Sequence, residues 1–335
     1  MRIIIDAMGG DNAPKAVIDG AMRAVKDFDI EISLVGDVTA MNAQIVDMGY
    51  SNDKISLVSA TEIVADNDNP IDVIRNKKDS SMVVAMNMLT ANDGDALISA
   101  GNTGALVAGS TLIVKRIRGV RRAAIAPLIP TEKGLAMLID GGANADCTAQ
   151  FLRQFAIMGS IYMNKVCKIQ KPKVGLVNIG VEDEKGNELA IAANKLLKET
   201  DVNYVGNIEA RDIPTGAADV IVCDGFTGNV ILKLAEGFAM FLMGKIKRVF
   251  MSNAFTKIAA LIVKKKFVEL KKSMDYTEYG GAPILGLTKP VIKAHGSSDS
   301  NAFYHAIRQA IEYTNSGIIA EITNKVAAKG DAENV

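Results

Sequence analysis

Ile3-Ile4-Ile5-Asp6-Ala7-Met8-Gly9-Gly10-Asp11-Asn12-Ala13-Pro14-Lys15, followed by the helical pattern Ala16–Lys26 and the apolar run Ile32–Val35, is the stretch that decides the fold. Three consecutive isoleucines read as a short strand buried on both faces, since branching at Cβ suits a covered pleated surface. The Gly-Gly-Asp-Asn segment reads as a loop in which Asp11 or Asn12 can cap the next helix, with Pro14 in its first turn. A second buried strand then follows. The same rhythm recurs down the chain: Ile55–Val58, Ala96–Ile98, Leu135–Ile139, Val174–Val177 and Val220–Val222 read as strands, and Thr148–Asn164 as a helix. Strands alternating with helices predict an α/β fold, with helices layered on both faces of a largely parallel sheet. No Pro/Gly/Ser-rich linker interrupts it, so residues 1–328 read as a single α/β domain and 329–335 as a frayed tail.

Composition narrows the function. Lys and Arg total 38, as do Asp and Glu, which excludes a globally basic nucleic-acid binder. Three scattered cysteines (Cys147, Cys167 and Cys223) exclude a disulfide framework and a Cys-rich zinc site, and fit a reducing cytosol. Two histidines, His295 and His305, leave no His-rich metal centre, so neither metal nor cofactor is expected. Asp6 arrives too early for a signal-peptide core. No uninterrupted apolar run approaches the roughly 18 residues of a membrane span, and none is expected.

Neutrality hides an uneven distribution. Residues 245–272 carry nine basic residues against Glu269 alone, a local charge of +8 that leaves −8 on the remainder. From Phe255, apolar residues at 255, 258, 259, 262, 263, 267 and 270 fall on one helical face. Lys257, Lys264, Lys265, Lys271 and Lys272 fall on the other, with Leu261 and Lys266 as misfits. Residues 236–280 therefore read as a helical protrusion. It is suited to packing on the core or a partner subunit, and equally to an anionic membrane surface.

Ligands of open α/β sheets bind at the carboxyl ends of the strands. Here six such loops are rich in Gly, Asn, Thr and Asp. Two carry G-x-T-G where a strand passes into a helix: Ser99-Ala100-Gly101-Asn102-Thr103-Gly104 and Cys223-Asp224-Gly225-Phe226-Thr227-Gly228-Asn229. Placed in one sheet, the pair could hold one polyanion or two anionic groups at helix N-termini, while each threonine alone could simply cap its helix. The phosphate-cradling G-x-x-x-x-G-K-[ST] and the dinucleotide G-x-G-x-x-G are absent. Lys185, a cation among acids, reads either as a solvated loop lysine or as a contact for phosphate or an oxyanion. His295 and Ser297 belong to the sixth loop, where Ser300 or Asn301 can cap the following helix. No G-x-S-x-G elbow occurs, and Cys223 has no cationic neighbour in sequence to make it a thiolate.

Taken together, Asp6–Asp11 (DAMGGD), Ser99–Ala105 (SAGNTGA), Asp140–Asn144 (DGGAN), Glu182–Leu189 (EDEKGNEL), Gly206–Asp212 (GNIEARD), Asp224–Asn229 (DGFTGN) and Ala294–Asn301 (AHGSSDSN) resemble the PlsX family of phosphate acyltransferases from residue 1 to about 325. Gly141 departs from the valine of the family's motif. The resemblance implies an isopropylmalate-dehydrogenase-like fold shared with phosphotransacetylases, a homodimer, and transfer of a fatty acyl group from acyl-carrier protein to inorganic phosphate for bacterial phospholipid synthesis. Phosphate is then the nucleophile, with no acyl-enzyme. On that reading Asn102, Thr103, Thr227 and Gly228 hold phosphate, while Lys185 and Asn229 stabilise charge at the reacting centre. Asp6, Gly9, Gly10, Asp11, Ser99, Gly101, Gly104, Asn144, Asp224, His295 and Ser297 complete the expected site. The basic segment would meet an anionic membrane or the acidic carrier protein. An enzyme acting on coenzyme A thioesters is the rival, and a non-catalytic membrane scaffold is the rival of another class.

Overall fold

The structure is a computed structural model describing residues 1–50, 53–274 and 280–330. In chain order its elements are β1 (Arg2–Asp6), α1 (Lys15–Asp27), β2 (Glu31–Gly36), α2 (Val38–Asp47), β3 (Ile55–Ser59), α3 (Pro70–Asn76), α4 (Ser81–Thr90), β4 (Ala96–Ser99) and α5 (Thr103–Gly109). Then come β5 (Ala124–Ile125), β6 (Leu128–Thr131), β7 (Gly134–Ile139), α6 (Ala149–Lys165), β8 (Lys173–Asn178), α7 (Glu188–Lys198), β9 (Asn203–Glu209) and β10 (Val220–Val222). The last are α8 (Gly225–Phe250), α9 (Ala254–Met274), β11 (Ala282–Leu285), β12 (Val291–Lys293), α10 (Ser300–Asn315) and α11 (Ile318–Gly330). Each of the seven strands read from the sequence is present.

They divide between two sheets. One has the order β3-β2-β1-β4-β12-β11-β5, the other β6-β7-β10-β8-β9. Parallel pairing runs from β3 to β12 in the first and from β7 to β9 in the second. The two G-x-T-G turns follow β4 and β10 and so belong to different sheets, which corrects their placement in one.

Side-chain alternation sets the layers. Ile3 and Ile5 face one core with Val17 and Ile18 of α1 and Phe303 and Ile307 of α10, whereas Ile4 faces another with Met82 and Met86 of α4 and Leu106 of α5. The first of these cores also takes Met137 and Ile139 of β7, Val220 and Val222 of β10, and Phe155 and Tyr162 of α6. One contiguous apolar layer therefore couples the two sheets. On the far face of the second sheet, Leu138 and Ile221 pack with Ile208 and Ile213, and Ile231 and Leu232 of α8 lie against them.

Beyond that anchor α8 leaves the body, turns at Met251–Asn253 and returns as α9. Phe250 meets Phe267 edge-on at 5.1 Å, tying the two helices together. Much of the hairpin's outer apolar surface is exposed, including Phe238 (60%), Phe255 (85%), Leu261 (71%) and Ile262 (79%). The sequence left open whether α9 packs its apolar face on the core; instead Val263 and Phe267 are half-buried while Phe255, Ile258 and Ile262 face outward. Leu270, Lys271 and Lys272 fall outside the described side chains.

Helix α8 is also long and apolar enough, by length and composition, to cross a membrane, with 6% of its most apolar window buried. Lys233 and Glu236 interrupt its apolar stretch, so it holds no uninterrupted apolar run of that length. In the tail read as frayed, α11 continues to Gly330, and 331–335 lie outside the described residues.

The docking of α8 on the second sheet has a steric requirement. A Cβ at Gly228 would overlap the carbonyl oxygen of Asp140 and lie 3.0 Å from Cys223 Sγ. Gly228→Ala must push the helix off the strand ends. It is expected to cost about 2–3 kcal/mol in chemical denaturation, as overpacking does. A loss below about 0.5 kcal/mol would contradict this packing.

Candidate active site

The β1 loop, the β4 loop and the loop before α10 meet backbone to backbone. Ser99 donates to the Asp6 carboxylate at 2.7 Å and accepts the Gly101 amide at 3.1 Å, with both Asp6 and Ser99 buried. Asp6 also accepts the Met8 amide at 3.3 Å. A carboxylate inside a protein must be hydrogen-bonded. These partners explain its place at a strand end and shape the β4 turn. Gly9 is required by proximity, since a Cβ there would lie 2.5 Å from Gly101 N. Gly10 has φ +94°, and the Asp11 amide after it donates to the Gly296 carbonyl at 2.8 Å.

Neither Asp11 nor Asn12 caps α1, whose N-cap is Pro14. Asn12 instead spans to the carbonyls of Ser297 and Ser298, at 3.2 Å each. In the β4 turn Asn102 is the cap, accepting the Ala105 amide at 2.9 Å. Its amide nitrogen donates to the carbonyls of Ala65, Asp66 and Asp68. With its side chain so committed, Asn102 is a scaffold for the turn. Thr103 is left exposed and has no side-chain hydrogen bond among the described residues, so it is not the cap. Gly104 packs on Pro70.

In the second sheet, Asp140 organises the β7 loop. Its fully buried carboxylate accepts the amides of Ile125, Gly142, Ala143 and Asn144 and the Asn144 side chain, at 2.7–3.1 Å. Burial still pushes its pKa up against those bonds. Asn144 Nδ2 also reaches the Ala123 carbonyl at 2.8 Å, and the Asn144 carbonyl accepts the Gly225 amide at 2.8 Å. Gly141 sits against Pro127, where a Cβ would be 2.7 Å from Cδ.

Asp224 caps α8, accepting the amide and the hydroxyl of Thr227 at 2.8 Å each, so Thr227 is not a cap either. The β7 loop touches the second G-x-T-G turn and packs on the apolar cluster under the first. Gly142 lies against the Asn229 side chain, and Ala143 packs on the cluster holding Ala105 and Leu106. Asn229 is exposed and its side chain has no hydrogen bond among the described residues.

Lys185 is exposed on the β8 loop, its alkyl chain over Gly180. Its acidic neighbour Asp183 pairs with Lys198 at 2.5 Å, and the Lys185 ammonium has no ion pair among the described residues. Parallel pairing of β8 and β10 sets this loop beside the one carrying Asn229. In the sixth loop, His295 Nδ1 accepts the Ser297 amide at 3.2 Å and lies 2.8 Å from its hydroxyl, which leaves a neutral ring's proton on Nε2. Burial lowers its pKa. Asp299 caps α10, a role the sequence had given to Ser300 or Asn301.

Burial holds the three cysteines as neutral thiols. Burial, then Asp224 and Asp140, push the Cys223 thiol well up. Burial and Asp140 push Cys147 up to about 12. A thiolate needs a cationic neighbour, and these thiols face carboxylates.

Sequence reasoning missed three residues that face these loops. Lys233 and Glu236 of α8, paired at 2.8 Å, lie within electrostatic reach of His295. Lys293 at the end of β12 faces Asp6 and Asp66. The signals were there: a lysine closing a buried strand, and an i,i+3 charge pair inside an otherwise apolar helix. A separate cleft of about 380 Å³, lined by Leu128, Lys133, Tyr162, Cys167, Arg308 and Gln309 among others, takes no residue from these loops.

A family model described as "Fatty acid synthesis protein" matches residues 1–321. A phosphate acyltransferase of Alkaliphilus oremlandii is 50% identical over 333 residues, 99% of each chain. One from Bacillus licheniformis is 49% identical across 99% of this chain and 100% of its own. Among solved structures, a phosphotransacetylase from Streptococcus pyogenes superposes with a TM-score of 0.65 at 16% identity over 94% of both chains. A 4-hydroxythreonine-4-phosphate dehydrogenase from Klebsiella pneumoniae gives 0.55 at 13% identity, covering 94% of this chain and 99% of its own. Those two establish a common fold, and the full-length sequence matches establish more: the chain belongs to the PlsX family of phosphate acyltransferases.

Proposed function

We propose that this acyltransferase moves a fatty acyl group from acyl-carrier protein to inorganic phosphate, releasing free carrier protein and supplying acyl phosphate for phospholipid synthesis in the cytoplasm. The observation that carries the reading is a set of interlocked strand-end loops in which Lys185, Asn229 and Thr103 keep uncommitted donors. Beside them both nearby thiols are held protonated. Such a site suits a reaction whose nucleophile is brought in as substrate. The enzyme's contribution is then to align phosphate with the thioester carbonyl and to stabilise the tetrahedral oxyanion. Thr103 and the turn amides bind phosphate; Lys185 and Asn229 meet the developing charge. Asp6, Ser99, Asn102, Asn144 and Asp224 hold the loops in shape, a supporting part that fits their internal hydrogen bonds. No cofactor takes part.

The enzyme works as a homodimer and binds anionic membrane surfaces peripherally through the hairpin, where exposed apolar residues adjoin a cluster of lysines. Basic residues near anionic lipid contribute about 1 kcal/mol each, so attachment is reversible and salt-sensitive.

Hydroxylamine trapping tests the reaction. Hydroxamate should form from acyl-carrier protein in the presence of both phosphate and enzyme, and a product made equally well from acyl-coenzyme A would favour the rival donor. Lys185→Ala should slow turnover by about two to three orders of magnitude with an unchanged melt. A rate above half of wild type would remove Lys185 from the reacting centre.

The two threonines separate in kinetics. Thr103→Val should raise the phosphate KM without lowering stability, because Asn102 is the cap. Thr227→Val, which strips a bond from Asp224, should cost about 1 kcal/mol. A stability loss at Thr103 with unaltered phosphate KM would reverse the assignment.

For the membrane, wild type should co-sediment with anionic but not neutral liposomes at low salt, and high salt, Leu261→Glu or Ile262→Glu should weaken it. Wild type remaining in the supernatant with both vesicle types would show that the hairpin serves another partner.

A further inference from the structure

Lys293 ends β12, whose pairing with β4 sets Val291 against Leu97, Ile292 against Ile98 and Lys293 against Ser99. It is the one charged residue of a strand otherwise buried in the sheet. The side chain is half-buried and its Nζ donates to two carbonyls, Ala294 at 2.5 Å and Ala100 at 3.2 Å. Ala100 lies between Ser99 and Gly101, so this bond anchors the outer edge of the first G-x-T-G turn. An ammonium has three donors, and the third has no partner among the described residues.

The charges around it come from several elements. Asp6 faces it from β1, Asp11 from the loop after β1, Asp66 from the loop after β3, and Lys233 from α8. His295, two residues on, is within electrostatic reach. Without Lys293, three carboxylates would stand against Lys233 at the rim where a phosphate dianion must enter. Like charges at that range repel, and the repulsion strengthens where water is excluded. A purely structural contact with two carbonyls would not need a charge, and burying one is costly.

We propose that Lys293 is a positioning residue of the phosphate site, pinning the Ala100 and Ala294 carbonyls to fix the β4 turn and offsetting Asp6, Asp11 and Asp66 so that phosphate is admitted. This rests on the phosphate acyltransferase reading above and adds to it a group that reaches the substrate through the turn. Burial also brings the Lys293 pKa down from 10.5 to about 8, with the carboxylates opposing the shift. The sign follows. As pH rises through about 8 the ammonium loses its proton, the offset is lost, and phosphate binds less well. Inorganic phosphate is already largely dianionic there, and His295, lowered by burial, is already neutral.

The test uses the full-length enzyme with saturating acyl donor and follows kcat/KM for phosphate across about pH 7 to 9.5, which reports groups of the donor-bound enzyme that phosphate meets, and of phosphate itself. Wild type should lose kcat/KM as pH passes about 8. Lys293→Arg, which stays charged throughout, should hold a flat profile over that window. Lys293→Met should raise the phosphate KM at least about tenfold while the donor KM stays within about twofold. Thermal melts report whether each variant folds. Lys293→Met with a phosphate KM near that of wild type would overturn the proposal, and so would a Lys293→Arg profile that titrates like wild type. If Lys293→Met fails to fold, the wild-type and Lys293→Arg profiles decide. A failure of the underlying reaction would show separately, as wild type making no phosphate-dependent acyl product.

Discussion

The Asp140 carboxylate, fully buried and surrounded by five donors, is the interaction on which the rest of the site depends. A charge in that position is tolerated only when its lone pairs are filled by hydrogen bonds. Filling them bends the β7 loop back on itself. The bent loop then offers its Asp140 carbonyl to the glycine face of α8 and its Gly142 to Asn229. Asp6 does the same for the first sheet through Ser99 and the Gly101 amide. Each sheet thus uses one buried carboxylate to shape a strand-end loop.

Function follows from what is left over once the scaffold is satisfied. Asn102, Asn144, Asp224 and Thr227 are consumed by internal hydrogen bonds, whereas Thr103, Asn229 and Lys185 remain available to a ligand. Helix α8 starts at the second G-x-T-G turn, carries Lys233 and Glu236 past His295 and continues into the exposed hairpin. Site and protrusion therefore share one rigid element about 39 Å long at the helical rise. A membrane or partner seated on the hairpin would be held at a fixed distance from the chemistry.

Strand identity was legible because isoleucine and valine runs bounded by Gly, Asp and Asn have few other folded solutions, as Ile3–Ile5 and Val220–Val222 illustrate. Division into two sheets was not legible, since β5, β6 and β11 are short and two of them contain proline or flank it. Pairing partners far apart in sequence decide which sheet a strand joins. Loops were legible as loops, but the roles inside them were not. Asn102 and Thr103 are neighbours with opposite commitments, and only the position of the 65–68 carbonyls separates them. Lys293 escaped notice because a strand-terminal lysine usually reaches solvent, and its carbonyl partners and facing carboxylates come together only in three dimensions.

Direct attack by phosphate, without an acyl-enzyme, is the central claim, and a single-turnover experiment addresses it most directly. Enzyme in excess is mixed with acyl-carrier protein in the absence of phosphate, free carrier thiol is followed, and the intact mass of the enzyme is recorded before and after phosphate is added. The account predicts no thiol burst, an unchanged protein mass, and thiol release that begins when phosphate is supplied. A stoichiometric burst with the enzyme heavier by one acyl group would contradict it.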